Sequence, residues 1–191
     1  MKRIVFILAG GKSTRMGGED KALALLEGRR LIDCVVSRLA PQADRLVISG
    51  RCDYGTGLAF AGDEAGSPAG PAGGIFTAAR WMGRQEPTTE GFFTAPVDGP
   101  FAPEDFIQRL MRPETSAISA DEAGVHPTFG YWRLADLADA WPKLKGEASI
   151  SLRSLARACN AKEIRWPGAS FFFNVNAPED LREAEKLGKR D

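Results

Sequence analysis

Leu8-Ala9-Gly10-Gly11-Lys12-Ser13-Thr14-Arg15-Met16-Gly17-Gly18-Glu19-Asp20-Lys21 follows directly on the apolar run Ile4-Val5-Phe6-Ile7-Leu8. An apolar run that ends at glycine predicts a buried β-strand, about residues 3–9, opening into a turn. Gly10, Gly11, Gly17 and Gly18 carry no Cβ, so main-chain N–H groups there are open to a closely approaching anion. Lys12, Arg15 and Lys21 add positive charge around them. A strand that runs into a glycine-rich basic loop predicts a phosphate cradle. A plain surface turn is the alternative, and the strand and the cations weigh against it.

Two common cradles are disfavoured by spacing. The Walker A loop needs a glycine five residues before Gly11-Lys12-Ser13, where this chain has Phe6. The dinucleotide pattern GxGxxG fails as well, because Gly10-Gly11 and Gly17-Gly18 are adjacent pairs. P-loop NTPases and Rossmann dehydrogenases are therefore set aside.

The rest of the chain alternates strand and helix patterns, which predicts an α/β fold: a three-layer α/β/α domain with a mostly parallel sheet. Strands are expected at 45–49, 58–61, 91–95, 116–120 and 128–132. Helices are expected at 31–40, 72–82, 134–141 and 149–158. Two more are expected to begin at Pro103 and Pro178, with acidic residues in their first turns. Ligands of open α/β sheets sit outside the carboxyl ends of the strands. Residues 9–18, 49–51, 62–74 and 96–101 all follow such ends and should meet in one crevice.

The 191 residues suit a single domain, 1–191. Twenty-five basic and 25 acidic side chains balance, so no long polyanion such as nucleic acid is favoured as partner. No apolar stretch reaches membrane-spanning length, and Met1-Lys2-Arg3 leads straight into the motif strand, so a cytoplasmic protein with no membrane association is expected. Cys34, Cys52 and Cys159 are widely spaced and read as free thiols.

Further along, Asp98 lies between Pro96 and Pro100, which fix the backbone and hold the carboxylate at a strand end. It suits a single hard oxygen ligand for Mg²⁺, or a turn aspartate capping the next helix. Asp63, after Gly62, reads from its neighbours alone as simple turn chemistry. His126, the lone histidine, either shapes a ligand pocket or merely turns the chain into a strand. Asn174 and Asn176 are alternate residues of an expected strand and share a face; Asn176 also reads as a helix cap.

LAGGKSTRMGGEDK resembles the N-terminal signature of nucleotidyltransferases, and most of all that of the molybdenum cofactor guanylyltransferases. Gly70-Pro71-Ala72-Gly73-Gly74, Pro96-Val97-Asp98-Gly99-Pro100, His126-Pro127-Thr128 and Phe173-Asn174-Val175-Asn176-Ala177-Pro178 extend the likeness in order along nearly the whole chain. The resemblance implies the nucleotide-diphospho-sugar transferase type of fold and transfer of GMP from GTP to the phosphate of molybdopterin, with release of pyrophosphate and Mg²⁺ as cofactor. It implies that Leu8, Ala9, Gly10, Gly11, Gly18, Lys21, Ser49, Asp63, Gly74 and Asp98 bind the nucleotide. Asp98 would bind the metal, with Arg15, Lys21 and Asp98 as the catalytic set. His126, Asn174 and Asn176 would line the acceptor end.

The acceptor phosphate is already ionised near neutral pH, so His126 is not needed as a base. Ser49 departs from the asparagine expected near the base, and Ala148-Ser149 from an arginine that Arg153 could replace. A cytidylyltransferase acting on the same cofactor therefore stays open, as does a non-catalytic nucleotide-binding regulator. The family also leaves room for transient contact with other cofactor-biosynthesis or molybdoenzyme-maturation proteins.

Overall fold

The computed structural model describes residues 1–10, 20–62, 72–147 and 149–188. Strand β1 (Ile4–Leu8) alternates its side chains between two buried faces. Val5 and Ile7 enter one apolar cluster, Ile4 and Phe6 the other. Burial on both sides explains why this strand reads as a continuous apolar run. β1 pairs in parallel with β4 (Arg45–Ser49) and β6 (Gly91–Pro96), and β4 with β5 (Ala59–Ala61). β8 (Val125–Arg133) runs antiparallel to β6 and to β7 (Ala117–Ala120). β9 (Lys162–Arg165) runs parallel to β7. The sheet order is β5-β4-β1-β6-β8-β7-β9, mostly parallel.

Helix α1 (Leu31–Leu39) buries Leu31, Ile32, Val35 and Leu39 against the Val5 face. On the other face, α2 (Gly73–Gln85) buries Ile75, Ala78 and Met82. α4 (Leu134–Leu144) and α5 (Leu152–Ala158) add Leu137, Ala140 and Leu155. α6 (Pro178–Gly188) starts with Pro178, Glu179 and Asp180, so its fixed φ and acidic first turn suit the N-terminus. The chain moves outward from β1 through β4 to β5, then returns to β6 on the other side of β1. Such a switch point opens a crevice outside the carboxyl ends of β1, β4 and β6.

Four expectations need correction. The helix after Pro103 begins three residues later, as α3 (Phe106–Leu110), because residues 103–105 form a turn in which Pro103 O accepts from Phe106 N. The helix expected over 149–158 starts at Leu152, where the Ser151 hydroxyl accepts from Ser154 N. Asn174 and Asn176 are not on a strand; residues 173–176 have irregular backbone held by side-chain and loop contacts. The pattern also missed β9 and a short hairpin, β2 (Leu25–Leu26) with β3 (Arg29–Arg30), whose turn places Glu27 and Gly28 at positive φ. Lys12, Arg15, Gly11, Gly18, Asp63, Gly70, Pro71 and Ala148 lie outside the described residues.

Candidate active site at the carboxyl edge of the sheet

Ala9 N donates to Ser49 O at 2.7 Å, and Val97 N to Leu8 O at 3.1 Å. The ends of β4, β1 and β6 are thereby held level. Gly74, in the first turn of α2, lies against the same edge: a Cβ built there would sit 3.4 Å from Leu8 Cδ2 and 3.6 Å from Ser49 Oγ. Leu8, Ala9, Ser49 and Gly74 are therefore neighbours, and Gly10 continues from Ala9 as an exposed residue.

Lys21 reaches this edge from a single 3-10 turn, Lys21–Leu23, whose Ala22 N donates to the Asp20 carboxylate at 3.1 Å. The Lys21 ammonium donates to Asp98 Oδ2 at 2.9 Å and to Asn176 Oδ1 at 2.7 Å. The ion pair is largely shielded, with 20% and 14% of the two side chains exposed. Three segments far apart in sequence thus meet at one nitrogen. Asn176 is not a helix cap. The α6 terminus is closed instead by Asp180, whose Oδ2 accepts from Asn176 N at 2.7 Å and Ala177 N at 2.9 Å. That frees the Asn176 side chain for Lys21.

Asp98 O accepts from Val175 N at 2.8 Å, and Asn176 Nδ2 donates to Asn174 O at 3.3 Å. The loop after β6 is pressed so closely between β8 and this tail that Gly99 is required. A Cβ there would overlap the Phe129 ring and sit 3.2 Å from Asn174 Oδ1. Asn174 Oδ1 is buried and has no hydrogen-bond partner among the described residues.

His126 lies within β8 and is engaged away from this cluster. Its Nε2 lies 2.7 Å from Asp121 Oδ1, and its ring packs on Phe172 with centroids 5.2 Å apart. The carboxylate accepts, so Nε2 carries the proton. Asp121 is wholly buried and also accepts from Ala123 N and Gly124 N. Phe172 lies two residues before Asn174, so His126 borders the same tail rather than the Lys21–Asp98 pair.

Sequence reasoning missed Tyr54 and Asp121. Tyr54 is buried, with its hydroxyl against Ala9 O and Asp20 Oδ2. Burial and the neighbouring Asp20 carboxylate push its phenol up to about 12. The only sequence signal was an aromatic residue in a turn-rich stretch, Asp53-Tyr54-Gly55, where polar residues are expected. Among the described residues no group of three or more His, Cys, Asp or Glu could hold a metal ion by itself.

Residues 5–162 match the family model for the MobA-like NTP transferase domain. The chain is 40% identical over 200 residues to a molybdenum cofactor guanylyltransferase of Cereibacter sphaeroides, covering all of both chains. It is 35% identical to one of Rhodopseudomonas palustris, over 97% of this chain and 93% of that one. Its fold superimposes on molybdopterin-guanine dinucleotide biosynthesis protein A of Archaeoglobus fulgidus with a TM-score of 0.72 at 22% identity, over 98% and 100% of the two chains. The chain belongs to the MobA-like NTP transferase family and is a nucleotidyltransferase.

Proposed function

We propose that this enzyme transfers GMP from GTP to the phosphate of molybdopterin and releases pyrophosphate. The full-length relatives named molybdenum cofactor guanylyltransferase support the donor and acceptor. The observation that carries the site assignment is the meeting of Lys21, Asp98 and Asn176 beside the end of β1. The sequence assigns the stretch that follows β1 to phosphates.

In this reading the glycine-rich stretch from Gly10 through Gly18 holds the triphosphate, with Arg15 and Lys21 offsetting its charge. Leu8, Ala9, Ser49, Asp63 and Gly74 border the nucleoside. Asn174 and Asn176 face the pterin end, with His126 beyond them. The acceptor phosphate is the nucleophile and needs no base, so transfer rests on positioning and charge neutralisation. Ionised phosphate attacks the α-phosphorus, the bond to the β-phosphate oxygen breaks, and pyrophosphate departs.

Mg²⁺ fits the donors present. Asp98 offers one hard carboxylate oxygen, which suffices for an ion that takes its other ligands from water and phosphates. Asp98 would hold it, and the ion would neutralise the triphosphate. The enzyme would act in the cytoplasm on small-molecule substrates, with any cofactor-biosynthesis partner meeting it transiently.

The test is pyrophosphate release from a panel of GTP, CTP and ATP with Mg²⁺ and molybdopterin. GTP should be preferred by at least tenfold. Preference for CTP would make it a cytidylyltransferase, and GTP binding without pyrophosphate release would make it a regulator.

A further inference from the structure

Tyr54 belongs to none of the motifs, yet its hydroxyl touches both flanks of the glycine-rich stretch. The oxygen lies 3.2 Å from Ala9 O and 3.0 Å from Asp20 Oδ2. Ala9 O closes β1. Asp20 caps the 3-10 turn through Ala22 N, so its orientation fixes the turn that carries Lys21.

Tyr54 is itself held from several sides. Its carbonyl accepts from Arg30 Nη1 at 2.8 Å, and Arg30 is clamped by both oxygens of Asp33 at 2.7 and 2.8 Å. The Asp53 side chain accepts from Gly55 N and Gly57 N, closing the turn after Tyr54. Tyr54 adopts φ 52°, a left-handed conformation that a non-glycine residue keeps only where its surroundings enforce it. A buried phenol that gives its proton to a carboxylate is a strong, directional tie.

Resting on the nucleotidyl-transfer reading above, we propose that Tyr54 is a positioning residue. Through Asp20 it aims the Lys21 ammonium at the crevice. Its raised ionisation range keeps the hydroxyl a donor throughout the pH range in which the enzyme would work.

The experiment is a double-mutant cycle read by GTP affinity with Mg²⁺ in the full-length protein, with thermal melting alongside. Lys21→Ala should weaken GTP about tenfold or more, the scale of a hydrogen bond to a charged group, and Tyr54→Phe about three- to tenfold, less because Tyr54 acts on the nucleotide only through Asp20 and Lys21. Tyr54→Phe added to Lys21→Ala should cost less than twofold more, because an aimed residue has nothing left to aim.

Equal losses in both backgrounds would make Tyr54 a packing residue and overturn the proposal. So would a Tyr54→Phe protein that binds GTP like wild type while Lys21→Ala does not; that result would leave the transferase reading standing. Absence of GTP binding by wild type would overturn the transferase reading and Tyr54's role with it; no effect of Lys21→Ala would take Lys21 away from the nucleotide and overturn Tyr54's role alone. Asp20→Asn gives a second route should Tyr54→Phe fold poorly. It should match Tyr54→Phe in GTP affinity and be likewise silent in the Lys21→Ala background; an additive loss would sink the tie.

Discussion

The ammonium of Lys21 lies 2.9 Å from Oδ2 of Asp98, across 77 residues of sequence and within a shielded edge of the sheet. The proposed metal ligand is thus paired with the proposed phosphate ligand. In the proposed reaction substrate would supply charge to both partners at once: phosphate oxygens for Lys21 and a divalent cation for Asp98. Pairing the two keeps either charge from being buried alone, a state that costs several kcal/mol.

Asp98→Asn keeps the shape and the Lys21 contact but removes the anionic oxygen. The variant should fold, judged by circular dichroism, and still bind GTP without metal. Its pyrophosphate release should fall about a hundredfold or more, the scale of losing a charge-stabilising group at the reacting centre. Turnover within threefold of wild type at saturating Mg²⁺ would take Asp98 out of the metal role.

Lys21→Ala should reduce kcat/KM for GTP about ten- to a hundredfold, equivalent to about 1.5–3 kcal/mol for a charged hydrogen bond. It also strips Asp98 of its counter-charge, so nucleotide-free protein should melt lower. Restoring most of the melting temperature with a Lys21→Ala, Asp98→Asn double variant would show that the stability loss came from the uncompensated carboxylate. Loss of less than threefold in kcat/KM would make Lys21 a structural charge.

Period and punctuation exposed the sheet because its central strands are buried on both faces. Ile4–Leu8, Arg45–Ser49 and Gly91–Pro96 could hardly be anything else. The strand end at Leu8 and the aspartate at 98 were therefore legible, as was their meeting. The edge strand β9, with Lys162 and Glu163 exposed, carries no apolar alternation to read. Asn174 and Asn176 misled in the opposite way. Phe171–Asn176 has strand-like residues, but the aromatic side chains fill gaps under α6 and against His126 instead of lining a sheet. Tyr54 stayed hidden because its role depends on Asp20, 34 residues away, and no local pattern encodes that hydrogen bond.

Gly99→Ala tests how tightly the loop after β6 is seated against β8 and the tail. The added methyl meets Phe129, a fully buried ring that packs on Phe106 and Phe172 with centroids 6.0 and 4.9 Å away. Overpacking of this kind costs about 1–3 kcal/mol, so differential scanning calorimetry should show melting lowered by roughly 2–10 °C. Asn174 lies on the other side of the new methyl, so affinity for the acceptor should fall more than affinity for GTP. An unchanged melting temperature would mean that the Phe129 ring and the loop shift apart without cost.

Cys159 offers a pH test independent of the site. It is 3% exposed, its thiol donates to Asp136 O at 3.7 Å, and burial pushes its ionisation from 9.0 up to about 12. A group whose folded pKa is raised contributes stability that is complete below the unfolded value and is lost as pH climbs towards the folded one. The stability advantage of wild type over Cys159→Ala should hold steady up to about pH 9 and shrink between pH 9 and 12. The same burial predicts the order of alkylation at pH 8 in the folded protein. Exposed Cys52 should react first, Cys34, whose thiol burial also raises, more slowly, and Cys159 only on unfolding. Mass mapping after brief iodoacetamide treatment measures that order. Early labelling of Cys159 would mean that α5 opens from the Phe6 face far more readily than its packing implies.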